Sequence, residues 1–168
     1  GVRVTCETAP HYFTLTDADI PPYDTHFKMN PPLRSDKDRT AIIAGLADGT
    51  IDMIATDHAP HAEDEKQVEF DQAAFGIVGL ETSLGLSLDL VAQGHLTLVQ
   101  LIEKMSKAPA NLIGINNDIV QGNPADLTLI NGDAGWTVDP DAFVSKGRNT
   151  PFAGRRLMGA TALTIVDG

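Results

Sequence analysis

Apolar and polar positions alternate over residues 2–6, "VRVTC", in the period of a strand. A helix is expected next over "SDKDRTAIIAGLADGT". Ser35 with Asp38 three places on forms a capping-box signature, Ile42, Ile43 and Leu46 supply an apolar face, and Gly49 stops the run. "IDMIA", residues 51–55, is nearly continuous in apolar residues, as a strand buried on both faces would be. Two more helices follow over 81–93 and 97–107, with Leu84, Leu88 and Val91 spaced for one face, then Leu98, Leu101, Ile102 and Met105. Pro109 starts a short helix in "SKAPANLIGI". Strand, helix, strand and further helices make the rhythm of an α/β protein with a parallel sheet.

Two stretches interrupt that rhythm. Residues 9–34 contain five prolines and no helical period, and so long an irregular connection is often functional. Residues 62–81 begin as an acidic polar loop, with Glu63 to Asp71 as a solvated segment or a lid, and end rich in glycine. From about residue 117 the pattern changes to short alternating β runs separated by Gly, Pro, Asn and Asp turns. The expected division is residues 1–116 as an α/β unit and 117–168 as a small all-β unit.

Composition narrows the function classes. The 168 residues are 42% hydrophobic and 21% charged, ordinary for a globular protein, with a formal net charge of -11. Such acidity opposes binding to nucleic acid or to anionic membrane surfaces. No apolar run approaches the roughly 20 residues that span a bilayer. The single cysteine, Cys6, forms no internal disulfide and suits a reducing, cytoplasmic setting. The chain opens at Gly1 directly on a β-branched run, and is expected to be the C-terminal part of a longer protein.

Chemistry concentrates where "IDMIA" ends, in "TDHAPH". Ligands of α/β sheets and barrels bind beyond the carboxyl ends of strands, where Asp57 stands. A carboxylate there serves as metal ligand or general acid/base, or equally as a cap for the following turn. His58 and His61 strengthen the functional reading without assigning either a role. Asn30, stiffened in "MNPPLR" by two following prolines, offers a hydrogen-bonding amide, or else only forms a turn. Arg34 is an anion ligand or a solvated side chain. Glu7 and His11 follow the first strand and could share the mouth with Asp57. Phe75 and Gly76 could present bare backbone to a flat ligand, since glycine permits close approach. The sequence contains no HxH, CxxC or HExxH, so most partners of a metal bound at Asp57 would lie outside these residues.

Five segments in order, "VTCETAPHYFTLT", "KMNPPLRS", "DGTIDMIATDHAPH", "FGIVGLET" and "NTPFAGRRLMGATALTIVDG", resemble the C-terminal part of class I dihydroorotases of the amidohydrolase superfamily. The resemblance spans essentially the whole chain. It implies the last third of a metal-dependent (β/α)8 barrel, with residues 2–6 and 51–55 as its seventh and eighth strands, followed by part of a small β-sandwich. It also implies that Asp57 binds zinc, one ion or two, and is the catalytic acid/base. His61 would contact the substrate's carboxylate, Asn30 would bind substrate, and the Phe75–Gly76 backbone would meet the pyrimidine ring. His11 and His58 belong to the pattern without an assignment as metal ligands.

The implied reaction is the reversible cyclisation of N-carbamoyl-L-aspartate to (S)-dihydroorotate in pyrimidine synthesis. The implied partners are this small-molecule substrate and either a second copy of the protein or aspartate transcarbamoylase. The other metal ligands and the substrate arginine of the pattern lie outside this sequence, so the isolated chain is expected to be inactive. Two rivals stand beside this reading: a non-catalytic dihydroorotase-like subunit supporting aspartate transcarbamoylase, and another cyclic amidase of the allantoinase or hydantoinase kind.

Overall fold

Ser35 opens the longest early helix as its residues predict. In a computed structural model, which describes residues 1, 2 and 4–168, the Ser35 side chain accepts from the Asp38 backbone N–H while Asp38 reaches back to the Ser35 N–H. The helix runs Asp36–Asp48 and ends on Gly49 at φ 87°, a left-handed turn that glycine enters without strain. Ile43 and Leu46 are buried against Ile54, Leu90 and Leu101.

We number the elements in chain order. They are β1 (Glu7–Thr8), α1 (Pro10–Thr14), α2 (Asp36–Asp48), β2 (Met53–Ile54), α3 (Glu63–Lys66), α4 (Leu80–Ala92), α5 (Leu98–Ile102), α6 (Ala108–Ile113), β3 (Leu127–Thr137) and β4 (Arg156–Ile165). β1 and β2 pair in parallel, with Glu7 opposite Met53 and Thr8 opposite Ile54. β3 and β4 pair antiparallel, with shifts of register between Leu129 and Ile130 and between Asn131 and Gly135. The architecture is mixed α/β.

Several sequence expectations shift. The strand expected over 2–6 begins instead at Glu7, and Arg3 lies outside the described residues. Val2 and Val4 are exposed. Residues 9–34 are not structureless: Pro10 starts α1, and single 3-10 turns form at Asp17–Asp19 and Thr25–Phe27. The acidic loop folds into α3, whose Lys66 is buried. The helix expected over 97–107 is α5 continued through a π turn, Glu103–Lys107, into α6.

On α4 the buried face is not the one that Leu84, Leu88 and Val91 predict; those three are only half-buried. Thr82, Ser83, Gly85, Leu86, Ser87 and Leu90 are buried instead. The helix carries leucine on every side, so small residues decide which face approaches its neighbour. A Cβ on Gly85 would sit 3.0 Å from Leu157 of β4. Leu86 and Leu157 share a core with Met29, Ile77, Val138 and Phe152. The β3–β4 module thus packs directly on the loops that precede α4, and this contact brings residues 145–152 to the candidate site.

Candidate active site

β1 and β2 both end at one cleft of about 540 Å³, lined by Glu7, Tyr12, Asn30, Arg34 and Asp57 among others. Asp57 leaves β2 with φ 48°, a left-handed conformation rare outside glycine but within reach of aspartate. Such backbone persists only where its surroundings fix it, and it clusters at functional sites. Here the following loop is fixed by Ala59 N–H donating to Ile77 O at 2.8 Å.

The capping alternative for Asp57 does not occur. Its carboxylate accepts no hydrogen bond from the described residues and is half exposed to the cleft, while the cap of α4 is supplied by His58. His58 Nδ1 accepts from the backbone N–H groups of Gly79, at 3.1 Å, and Leu80, at 3.3 Å, the first free donors of that helix. Its Nε2 faces Ser145 Oγ at 3.5 Å. Ser145 N–H in turn donates to Glu81 Oε1 at 2.8 Å. Burial pushes the Glu81 carboxyl up, but hydrogen bonding from Ser145 more than reverses this and leaves it below the ordinary range. His58 is therefore a structural histidine that fixes the residue after Asp57.

His11 is 2% exposed, and its Nε2 finds no hydrogen-bond partner among the described residues and lies 3.8 Å from Asp57 Oδ2. That distance is too long for a hydrogen bond. Burial lowers its pKa to about 4, so the ring facing Asp57 is neutral near pH 7. Tyr12 donates to Pro31 O at 2.8 Å, tying α1 to the Asn30 loop. Burial and then the Asp57 charge push its phenol up to about 12, which keeps that donor protonated. Asn30 itself is exposed on the same cleft as Asp57.

His61, Phe75 and Gly76 form a second group, on the loops that flank Asp57. His61 Nε2 donates to Phe75 O at 2.9 Å, and its Nδ1 lies 3.3 Å from Glu65 Oε2. Both ring nitrogens are thus engaged within the loops, and the ring must exchange one partner to meet a ligand. The Ala62 N–H and then His61 hold Glu65 below the ordinary carboxylate range. Gly76 has φ 111°, and a Cβ there would lie 2.5 Å from the Ala59 Cβ, so only glycine fits this close approach.

Three residues that sequence reasoning did not single out organise this second group. Lys66 Nζ donates to Ala74 O at 2.7 Å, Gly76 O at 3.1 Å and Lys28 O at 3.4 Å, which uses all three of its N–H groups. Burial, then the nearby Lys28, lowers its pKa to about 8. Lys28 donates to Asp71 O at 2.9 Å and lies 4.5 Å from the Phe75 ring centroid. Asn149, 2% exposed, spans the two loops from the segment between β3 and β4. It opens the "NTPFAG" run, but nothing local in that run discloses which loops it meets.

A metal bound at this cleft would find few donors in this chain. Among the described residues no three His, Cys, Asp or Glu side chains converge. The open Asp57 carboxylate is an oxygen donor of the kind that fits one position of a four-coordinate zinc. Among the described residues, no helix is long and apolar enough to cross a membrane.

The amidohydrolase family profile matches residues 2–168. A dihydroorotase of Desulforapulum autotrophicum is 63% identical over 168 residues, covering 100% of this chain and 39% of that protein. A dihydroorotase of Pelobacter propionicus is 58% identical, covering 100% of this chain and 40% of that protein. Among solved structures, the L-hydantoinase (dihydropyrimidinase) of Arthrobacter aurescens superposes with a TM-score of 0.91 at 34% identity, covering 98% of this chain and 38% of that one. The chain therefore spans about two fifths of the length of the curated relatives it matches.

Proposed function

The chain belongs to the amidohydrolase family, and from that membership we propose that the protein containing it is a dihydroorotase. It would interconvert (S)-dihydroorotate and N-carbamoyl-L-aspartate. Residues 1–116 would be the last third of a (β/α)8 barrel, and residues 117–168 part of a small β-sandwich. The observation that carries the reading is the Asp57 carboxylate, which is open to the cleft and accepts no hydrogen bond from the described residues, on a left-handed backbone. The choice of substrate is supported by the 63% and 58% identity to dihydroorotases, against 34% to the hydantoinase.

In ring opening, Asp57 takes a proton from the attacking water as its oxygen adds to the ring amide carbonyl. When the carbon–nitrogen bond breaks, Asp57 returns that proton to the leaving nitrogen. Ring closure runs the same transfers in reverse. Asn30 and His61 hold the substrate, His61 through the exocyclic carboxylate, and the Phe75–Gly76 backbone meets the ring. Family members are typically zinc-dependent; Asp57 would be one ligand here, and zinc when bound makes water acidic enough to attack near neutral pH and polarises the carbonyl. The remaining ligands would come from outside this chain, so the isolated chain is inactive. The working protein would be cytoplasmic, as a homodimer or beside aspartate transcarbamoylase.

The test compares substrates with the full-length zinc protein. A site that binds the exocyclic carboxylate should prefer dihydroorotate over unsubstituted hydantoin by at least about 10²-fold in kcat/KM. Faster opening of hydantoin would make the protein another cyclic amidase. Turnover of neither ring would favour the non-catalytic subunit.

A further inference from the structure

We propose that Asn149 is a positioning residue that holds the substrate-contacting loops in one frame, so that the β3–β4 module helps to determine substrate binding. The inference rests on the roles proposed above for His61, Phe75 and Gly76. Asn149 Oδ1 accepts from the His61 backbone N–H at 2.9 Å. Its Nδ2 donates to Ala59 O at 2.9 Å and Gly76 O at 3.1 Å. Its own carbonyl accepts from Val78 N–H at 2.8 Å. One planar amide thus ties the loop after Asp57 to the Phe75–Gly76 loop.

The chemistry of the position is narrow. The site requires one acceptor and two donors in a plane, which a primary amide offers and neither a carboxylate nor a hydroxyl does. Burial removes water as a substitute partner, so each lost bond leaves a backbone group unpaired. The approach is close: a Cβ on Gly147 would lie 2.8 Å from both Asn149 Oδ1 and the Pro60 Cβ. Residues 147–149 therefore bear directly on Pro60 and His61. The Asn149 amide is fully engaged by backbone groups and acts through the backbone it holds.

The test uses Asn149→Ser and Asn149→Asp in the full-length zinc protein. Serine is too short to make the three bonds, whereas aspartate keeps the acceptor for His61 N–H and loses both donors. Positioning predicts that Asn149→Ser raises KM for dihydroorotate on the order of tenfold or more, as expected when substrate-binding groups are displaced without loss of the reacting groups. Asn149→Asp should raise KM at least as much, because it sets a buried carboxylate oxygen against the Ala59 and Gly76 carbonyls. In a His61→Ala background, Asn149→Ser should add less than it does in wild type, the remainder coming from the Phe75–Gly76 loop. A merely structural role would instead lower apparent kcat in proportion to the folded fraction and leave KM unchanged, and that result would overturn the proposal.

Hydrogen exchange of the peptide covering residues 59–62 reads the positioning without turnover. It should quicken in Asn149→Ser while the Leu86 region stays protected, and equal exchange in variant and wild type would also overturn the proposal. A wild-type protein that fails to open dihydroorotate would refute the proposed function, and the exchange measurement would then decide the positioning by itself.

Discussion

Replacing Gly76 by alanine should damage the site and the fold together, and the structure sets the size of both effects. An L side chain at φ 111° carries backbone strain of about 1–3 kcal/mol. The new Cβ would lie 2.5 Å from the Ala59 Cβ, where ordinary contact begins at 3.4 Å. Neither partner is free to yield. Ala59 is held by Ile77 and Asn149, and Gly76 by Lys28, Lys66 and Asn149. Overpacking in such a place adds about 1–3 kcal/mol, so a total of about 2–6 kcal/mol is expected. The loops must also part by roughly 1 Å, and a displacement of that size lowers catalysis on the order of 10²-fold.

Urea unfolding of the full-length protein measures the first effect, and initial rates of dihydroorotate opening measure the second. Gly94→Ala is the control, because Gly94 has φ 77° with nothing within 4 Å of a Cβ. It should show backbone strain of about 1 kcal/mol with full activity. A Gly76→Ala protein with an unchanged urea midpoint and kcat/KM within about threefold of wild type would mean that the Ala59–Gly76 approach is neither tight nor needed for substrate binding.

The buried lysine and the helix-capping histidine give two more tests. Lys66 has a folded pKa of about 8 against 10.5 for the free side chain. The unfolded state therefore holds more protons between those values. The contribution of the group to stability is complete above pH 10.5 and is lost as pH falls through about 8. Wild type should gain stability relative to Lys66→Met over that window, at no more than about 1.4 kcal/mol per pH unit; denaturation curves that stay parallel from pH 8 to 10.5 would contradict this. His58→Ala removes the acceptor for the Gly79 and Leu80 N–H groups and should lower stability by about 1 kcal/mol, with His58→Asn restoring part of it. Unchanged urea midpoints in both variants would remove His58 as the cap of α4.

What could be read from the sequence was what neighbouring residues decide among themselves. Ser35, Asp38 and Gly49 fix the ends of α2 through contacts within a few residues, and Pro109 lies in the first turn of α6 for the same reason. The placement of Asp57 followed from strand polarity, and Asn30 does line the same cleft. Long-range partners were not legible. Lys66 looks like part of a solvated acidic loop until the carbonyls of Lys28, Ala74 and Gly76 close around it. His58 could be given no role because the helix it caps begins 22 residues later. On α4 the periodicity of leucine misled, since the small residues Gly85 and Ser87 select the buried face and β4 lies far along the chain.

On the proposed mechanism the Asp57 carboxylate moves the proton in ring opening. Asn in its place keeps the size of the side chain and tolerates the left-handed backbone at φ 48°, so the cleft should retain its shape. For Asp57→Asn in the full-length zinc protein, kcat for dihydroorotate should fall by about 10²–10⁴-fold with the urea midpoint little changed. A kcat within about tenfold of wild type would contradict the account and leave Asp57 outside the mechanism.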